Sequence, residues 1–428
     1  MDKPSKIIIF SHNCLSKCGS NGRTLANLFY GWPKAALAQF YISNEIPDSP
    51  VCDKYYRITD MKALKAFYKG NRAGNVIKQA APVDNFANKH TSLNTLYKRN
   101  RKRTPFNYIA RNLLWDSNSW KSKDFKEWIE EFGPEAVLLQ VGDYAFMFKI
   151  ALNIAKERKI PLILYNSEDY YFKDRKSISL LYHIYRFQYK KQFEKLISFA
   201  SFSIYNTEML QETYNRRFKH RSAVIMTGSE VTPVKQERKN KEFIVSYLGN
   251  LEVGRHKPLI EVADALQEAA PGSCLDIYGK IPSEEVGQAL RACPGIHLKG
   301  FVPYDEVVRV MKESDLLVHA ENFSKYSQWD LKHAFSTKIA DSLASGTCFF
   351  VYAPESMVFV KYLQKDKLAC VVTLKKDLSN TLRLLLKDKE LRQSYIDNAL
   401  QAVRTRHDVV INSERFKEMV LLSGAESK

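Results

Sequence analysis

The chain has 428 residues, enough for two domains that each bury a core. Hydrophobic residues make up 45% and charged residues 26%, a globular balance that excludes collagen-like, low-complexity and wholly disordered classes. The net charge of +18 is concentrated: residues 1–234 hold 37 Lys and Arg against 21 Asp and Glu, and residues 235–428 hold 28 against 26. The N-terminal half therefore suits a polyanionic partner, whether anionic lipid, a lipid diphosphate or nucleic acid.

In chain order, Lys6 runs straight into an apolar strand, Lys6–Phe10, so no secretory leader is expected. Seven cysteines without a CxxC pair read as reduced cytosolic thiols. His12, Cys14 and Cys18 lie close together, but no second ligand cluster stands nearby and no metal site is expected. Ser20–Thr24 open a helix. Gly22 there either lets the backbone approach a sugar diphosphate or is an ordinary turn glycine. GxGxxG is absent, so no dinucleotide redox cofactor is expected.

A strand follows at Phe40–Ser43. Residues 70–125 fit no βα unit. They hold Arg99, Arg101, Lys102 and Arg103, then Phe106, Tyr108, Trp115 and Trp120. Further basic-aromatic runs are Tyr170–Phe199 and Asn215–Arg221. Lys and Arg draw anionic headgroups while aromatic rings settle at the interface. The same residues suit phosphate binding with base stacking, or a solvated surface. With no nucleic-acid-binding motif, a membrane or acceptor role is assigned to Arg99, Arg101, Lys102, Arg103 and Trp115.

Further strands are expected at Ala136–Val141, Pro161–Asn166, Phe202–Asn206 and Ala223–Thr227. The longest mainly apolar region, Ala136–Ala155, carries Asp143 and Lys149, so no membrane span is expected. His12, Asp143 and Glu168 each follow a strand. They are candidates to orient or deprotonate an acceptor hydroxyl, or are polar residues that merely end strands.

Gly228–Lys241 is polar and aperiodic, contains Pro233 and reads as a linker. Beyond it, strands are expected at Phe243–Leu248, Cys274–Tyr278, Ile296–Lys299, Leu316–Ala320, Cys348–Tyr352 and near Ala369–Val372. Alternating strands and helices signal an α/β protein with two parallel, doubly wound sheets, whose ligands bind at the carboxyl ends of the strands.

Four motifs lie in this half. Tyr247-Leu248-Gly249-Asn250 ends a strand, with Arg255 in the next loop and Lys257 opening a helix. Gly300-Phe301-Val302-Pro303 makes a turn, and Met311–His319 leads into a strand. Residues 333–352 read HAFSTKIADSLASGTCFFVY. There a helix follows Ser336, with Ile339 and Leu343 on one face and Lys338 and Asp341 on another. Gly346 closes it. The amides near Ser336 and Thr337 suit an anion, and Ser336 equally reads as a helix cap. No D-x-D pair occurs anywhere.

Over about 243–352 these motifs resemble the donor site of GT-B glycosyltransferases, in the large retaining family 4-like group of bacterial capsular and exopolysaccharide enzymes. The N-terminal half is similar only in layout. The family pattern is E-x7-E or a Pro-Ser-Lys variant. Asp341 stands at the second glutamate, which grips the ribose. His333 stands at the first, so Glu321 or Asp330 is left to serve instead. Lys338, Ser336 and Thr337 match the phosphate end. Lys257 matches a family lysine. Asn250 replaces a family arginine, for which Arg255 can substitute, and Val302 packs under the base.

The resemblance implies Rossmann-like domains at 1–232 and 242–404 facing a central cleft, with a helix at 405–428 crossing back. It implies transfer of a hexose from a UDP- or GDP-sugar to a saccharide hydroxyl, with retention and without metal or other cofactor. The expected setting is a lipid-linked acceptor in surface polysaccharide synthesis, at the inner face of the membrane. The alternatives are a GT-B epimerase or phosphorylase, and a non-catalytic polyanion-binding scaffold.

Overall fold

Ile7, Ile8, Ile9 and Phe10 have no solvent exposure and lie in the middle of the first sheet. A parallel strand covered by helices on both faces reads as a continuous apolar run, and this one does. Ile8 and Phe10 pack into one core cluster with Val137, Leu139 and Leu164. Ile7 and Ile9 pack into the opposite cluster with Leu138 and Ile163. The period-two alternation of a strand divides them.

The computed structural model describes residues 5–17, 19–70, 73–77, 104–233 and 242–425. They form two compact units, one of residues 1–226 with 410–428, the other of residues 227–409.

In unit 1 the strands are β1 (Ile7–Ser11), β2 (Leu37–Tyr41), β3 (Lys54–Arg57), β4 (Asn75–Ile77), β5 (Ala136–Gln140), β6 (Leu162–Asn166), β7 (Phe202–Tyr205) and β8 (Ser222–Val224). Their order is β4-β3-β2-β1-β5-β6-β7-β8, with β4 antiparallel to β3. The helices are α1 (Ser20–Asn27), α2 (Asp60–Lys69), α3 (Pro105–Asp116), α4 (Lys123–Phe132), α5 (Ala145–Arg158), α6 (Leu180–Phe199) and α7 (Glu208–Phe218). Thr59 and Thr104 cap α2 and α3 through their side chains, and Pro105 opens α3 where its missing N–H costs nothing.

Unit 2 carries β9 (Val245–Leu248), β10 (Leu275–Tyr278), β11 (Ile296–Gly300), β12 (Leu316–Ala320), β13 (Cys348–Tyr352) and β14 (Cys370–Val372). Their order is β11-β10-β9-β12-β13-β14, parallel throughout. Its helices are α8 (His256–Ala269), α9 (Glu284–Arg291), α10 (Tyr304–Glu313), α11 (Lys325–Leu331), α12 (Thr337–Ala344), α13 (Val358–Lys365), α14 (Leu378–Lys387) and α15 (Lys389–Ala402). A final helix, α16 (Val409–Ala425), belongs to unit 1 from Val410 onward and lays Phe416 edge-on against Phe29 within that unit. In each sheet the strand order reverses once, between β1 and β5 and between β9 and β12. Open parallel sheets bind ligands outside the carboxyl ends at such a point.

The sequence reading missed β3 and β4. It also treated Gly228–Lys241 as linker. Residues 227–233 instead belong to unit 2, where Ser229 bridges to Asp408, and residues 234–241 lie outside the described residues.

Candidate functional site

In unit 2 the carboxyl ends of the central strands are crowded. A Cβ on Gly279 would lie 2.2 Å from the Gly249 carbonyl oxygen, so only glycine lets these strand ends approach. Just beyond, Arg255 and Glu321 form a bidentate pair: Nε donates to Oε2 at 2.9 Å and Nη2 to Oε1 at 2.8 Å. Glu321 ends β12 and is buried, and His319 Nε2 lies 3.3 Å from its Oε1. Burial alone would raise the Glu321 carboxyl, but His319 and the Arg255 guanidinium outweigh it and hold it below the ordinary carboxylate range. Glu321 thus positions Arg255, and the third guanidinium nitrogen makes no hydrogen bond among the described residues.

Lys338 stands on the first turn of α12, half-buried. Its Nζ makes no hydrogen bond or ion pair among the described residues. Burial pushes its ammonium down to about 8, the Arg255 charge adds to this, and Glu321 and Asp341 pull the other way. A cation held without a partner is poised for an incoming anion. The helix terminus itself offers less than the sequence suggested. Ser336 Oγ accepts from the Lys338 amide and the Ser336 carbonyl accepts from that of Ile339, which leaves the Thr337 amide.

Asp341, one turn further along α12, is buried, not on an exposed face. Ser229 Oγ donates to its Oδ1 at 2.6 Å, and the Tyr304 hydroxyl lies 3.5 Å from Oδ2. Nearly every residue of α12 is buried, because Ala340, Ser342 and Ala344 let neighbours pack against its second face. Asn250 is exposed and bound to Glu252, Lys257 is exposed, and Val302 is half-buried after β11. His333 and Asp330 are half-buried in the segment that leads to α12.

Unit 1 holds a pocket of about 900 Å³ at the carboxyl ends of β1, β5 and β6, walled by α2 and α3. His12 and Asp143 both line it. His12 stacks on Tyr144 at 4.5 Å, and Asp143 Oδ2 accepts from the Tyr108 hydroxyl at 2.5 Å. Glu168 is not among the lining residues. It accepts from the Tyr170 hydroxyl at 3.1 Å.

Arg111 enters the pocket from α3. Its Nε donates to Asp60 at 2.8 Å, its guanidinium lies 4.4 Å from the Tyr144 ring centroid, and its Nη2 makes no hydrogen bond among the described residues. Aromatic faces beside carboxylates and amides suit the apolar faces and hydroxyls of a sugar. Arg111, Tyr144 and Ser229 are residues that the sequence did not single out, whereas Tyr304 belongs to the turn after Pro303 that the resemblance places under the base. The spacing of Tyr108 and Arg111 on one helix was the available signal.

Two expectations change. Trp115 is buried, stacks on Phe146 at 4.6 Å and donates Nε1 to Asp60, so it cannot anchor a membrane. Gly22 lies inside α1, and a Cβ there would meet the Cys14 carbonyl at 2.2 Å, so the chain's own backbone takes that space. Arg99, Arg101, Lys102 and Arg103, like Cys18, lie outside the described residues. Among the described residues no group of three or more His, Cys, Asp and Glu is placed to hold a metal, and no helix is long and apolar enough to cross a membrane.

Residues 255–418 match the family model described as glycosyl transferase-like. No curated protein matches the sequence. Among solved structures, the chain is similar to Alr3699/HepE of Anabaena in complex with UDP and glucose, at 13% identity and a TM-score of 0.62, covering 98% of this chain and 100% of that one. It is also similar to sucrose-phosphate synthase from Thermosynechococcus elongatus, at 14% identity and 0.59, covering 98% and 99%. WaaG, a glycosyltransferase involved in lipopolysaccharide biosynthesis, is similar at 13% and 0.57, covering 97% and 99%. With the two parallel sheets, these likenesses show the GT-B fold.

Proposed function

We propose that the protein is a glycosyltransferase that moves a hexose from a nucleotide-diphosphate sugar to a saccharide hydroxyl, with retention and without metal. The observation that carries this is the cationic group in unit 2. Arg255 is fixed by Glu321, and Lys338 has a free ammonium beside the start of α12. As the sugar–phosphate bond breaks, the departing diphosphate gains negative charge. Preset cations and an amide aimed there stabilise that transition state without reorganising. Asp341 would take a ribose hydroxyl, with Ser229 holding its other oxygen. UDP in the HepE complex favours a uridine donor. The unit 1 pocket would take the acceptor, with Asp143 or His12 orienting its hydroxyl. WaaG's role in lipopolysaccharide biosynthesis supports a lipid-linked acceptor in surface polysaccharide synthesis, and with it a cytoplasmic enzyme at the inner membrane face.

Calorimetry with UDP, GDP and UDP-glucose, with and without a chelator, tests the donor half. We expect UDP and UDP-glucose to bind, and chelator to change nothing. Binding that vanishes on chelation overturns the metal-free site, and no binding of any nucleotide overturns the donor site. NMR of the anomeric proton in the product then reads retention or inversion.

A further inference from the structure

Helix α6 breaks the rule that apolar side chains turn inward. Its inner side is ordinary: Tyr185, Tyr189 and Phe193 are buried in the unit 1 core. Its first turns also carry Leu180, Leu181, Ile184 and Phe187 in the open, and Ile178 just before them is fully exposed. Positions 180, 184 and 187 are separated by four and three residues, so they form one stripe down the helix. A contiguous exposed stripe of this kind marks a surface that is covered by something.

Charge identifies the cover. From Lys173 to Lys195 the chain holds seven Lys and Arg against Asp174 and Glu194. Both acids are engaged: Asp174 with Arg186 and Lys190, Glu194 with Tyr171 and Arg217. Arg175 and Lys176 precede the stripe, Lys191 follows it, and all three are exposed. An apolar stripe between unneutralised cations matches the boundary of an anionic bilayer, where hydrocarbon lies beneath negative headgroups.

The stripe also lies close to the pocket. Tyr108 lines the pocket and stacks at 4.5 Å on Tyr185, the neighbour of Ile184 in the chain. The pocket's lining includes Leu64, Phe67, Tyr68 and Leu113, all substantially exposed apolar side chains on α2 and α3.

We infer that the N-terminal turns of α6 are the surface by which unit 1 docks on an anionic bilayer, so that an amphipathic acceptor reaches the pocket from the membrane plane. This rests on the reading of the protein as a transferase acting on a lipid-linked acceptor. Docking itself is measured without any acceptor.

The test is co-sedimentation with vesicles of phosphatidylcholine alone and of phosphatidylcholine mixed with phosphatidylglycerol, at low and raised salt. We expect partition onto the mixed vesicles only, weakened by salt. Replacing Leu180, Ile184 and Phe187 together with Ser should lower partition roughly tenfold or more. Should that variant fail to fold, Lys176→Glu with Lys191→Glu tests the same surface through exposed side chains, and partition should again fall. UDP binding by calorimetry should stay at the wild-type value in both, since the donor residues lie in unit 2. Wild-type partition by either folded variant overturns the inference, as does equal partition onto neutral vesicles. So does a self-association of the wild type that the Ser variant abolishes, which would give the stripe to a second copy. Loss of UDP binding in the wild type would sink the transferase reading and leave the vesicle result standing.

Discussion

The Ser229 hydroxyl donates to the Asp341 carboxylate at 2.6 Å, joining two buried residues 112 positions apart. One carboxylate oxygen is thereby fixed, while the Tyr304 hydroxyl approaches the other at 3.5 Å. Removing a carboxylate that also grips ribose loses a charge-assisted hydrogen bond worth about 1.5–3 kcal/mol. Asp341→Ala should therefore weaken UDP binding roughly tenfold or more by calorimetry. Ser229→Ala, which removes the anchor and the acceptor of the Val231 amide, should cost about 1–2 kcal/mol of stability and far less affinity. An unchanged dissociation constant in Asp341→Ala would make the carboxylate a structural partner of Ser229 alone.

Lys338 gives nucleotide binding a pH dependence. Its ammonium is held down to about 8 in the free protein, chiefly by burial and then by Arg255. A bound diphosphate would raise it, because an opposite charge favours the protonated form. Affinity should then be flat below about pH 8 and fall as pH rises beyond it, by up to about tenfold per unit until the value in the complex is reached. Lys338→Ala should bind weakly at every pH and flatten this limb. A wild-type affinity constant from neutral to alkaline pH would remove Lys338 from the phosphate site.

The parallel architecture was legible because its strands are long apolar runs broken by amphipathic helices. The two missed strands carry weaker signals. β3 is Lys-Tyr-Tyr-Arg, four residues with a charge at each end, and β4 is three residues at the sheet edge. Burial was harder to read than element type. Trp115 follows a basic run and reads as interfacial, yet it faces the core because α3 packs against α2 and α6. Lys338 and Asp341 read as sharing one face of an amphipathic helix, apart from Ile339 and Leu343, but α12 is enclosed on nearly all sides. The bonds of Asp341 to Ser229 and of Arg255 to Glu321 join residues 112 and 66 positions apart, and local periodicity carries no information about such pairs.

The Arg255–Glu321 pair should be costly to break from one side. Both side chains are largely withdrawn from water, at 16% and 5% exposure. Removing one partner strands a buried charge, at a cost of about 3–5 kcal/mol. Glu321→Ala should lower stability by that order in denaturant unfolding, while Arg255→Ala should lower both stability and UDP affinity. Replacing both with apolar residues of similar volume should restore much of the stability but not UDP binding. Stability that survives Glu321→Ala within a few tenths of a kcal/mol would show that water reaches the pair.

His407 sets an acid limit on unit 2. Its imidazole is fully buried, stacked on Phe335, with Nδ1 at 2.8 Å from the Thr227 carbonyl and Nε2 at 2.8 Å from the Tyr362 hydroxyl. The neutral ring donates to the carbonyl and accepts from the hydroxyl. A second proton would leave both nitrogens as donors and break the Tyr362 bond unless that hydroxyl turned. Burial, opposed in part by the Thr227 bond, holds the ring down to about 4 against an ordinary 6.5. The unfolded chain therefore takes up a proton as pH falls through 6.5, and the folded chain only near 4. This contribution to stability is full above 6.5 and is lost between 6.5 and 4, to about 3 kcal/mol in all. Thermal midpoints across that interval should fall for the wild type and fall less for His407→Asn, whose side chain does not titrate. Parallel curves for the two proteins would place the acid sensitivity elsewhere in the chain.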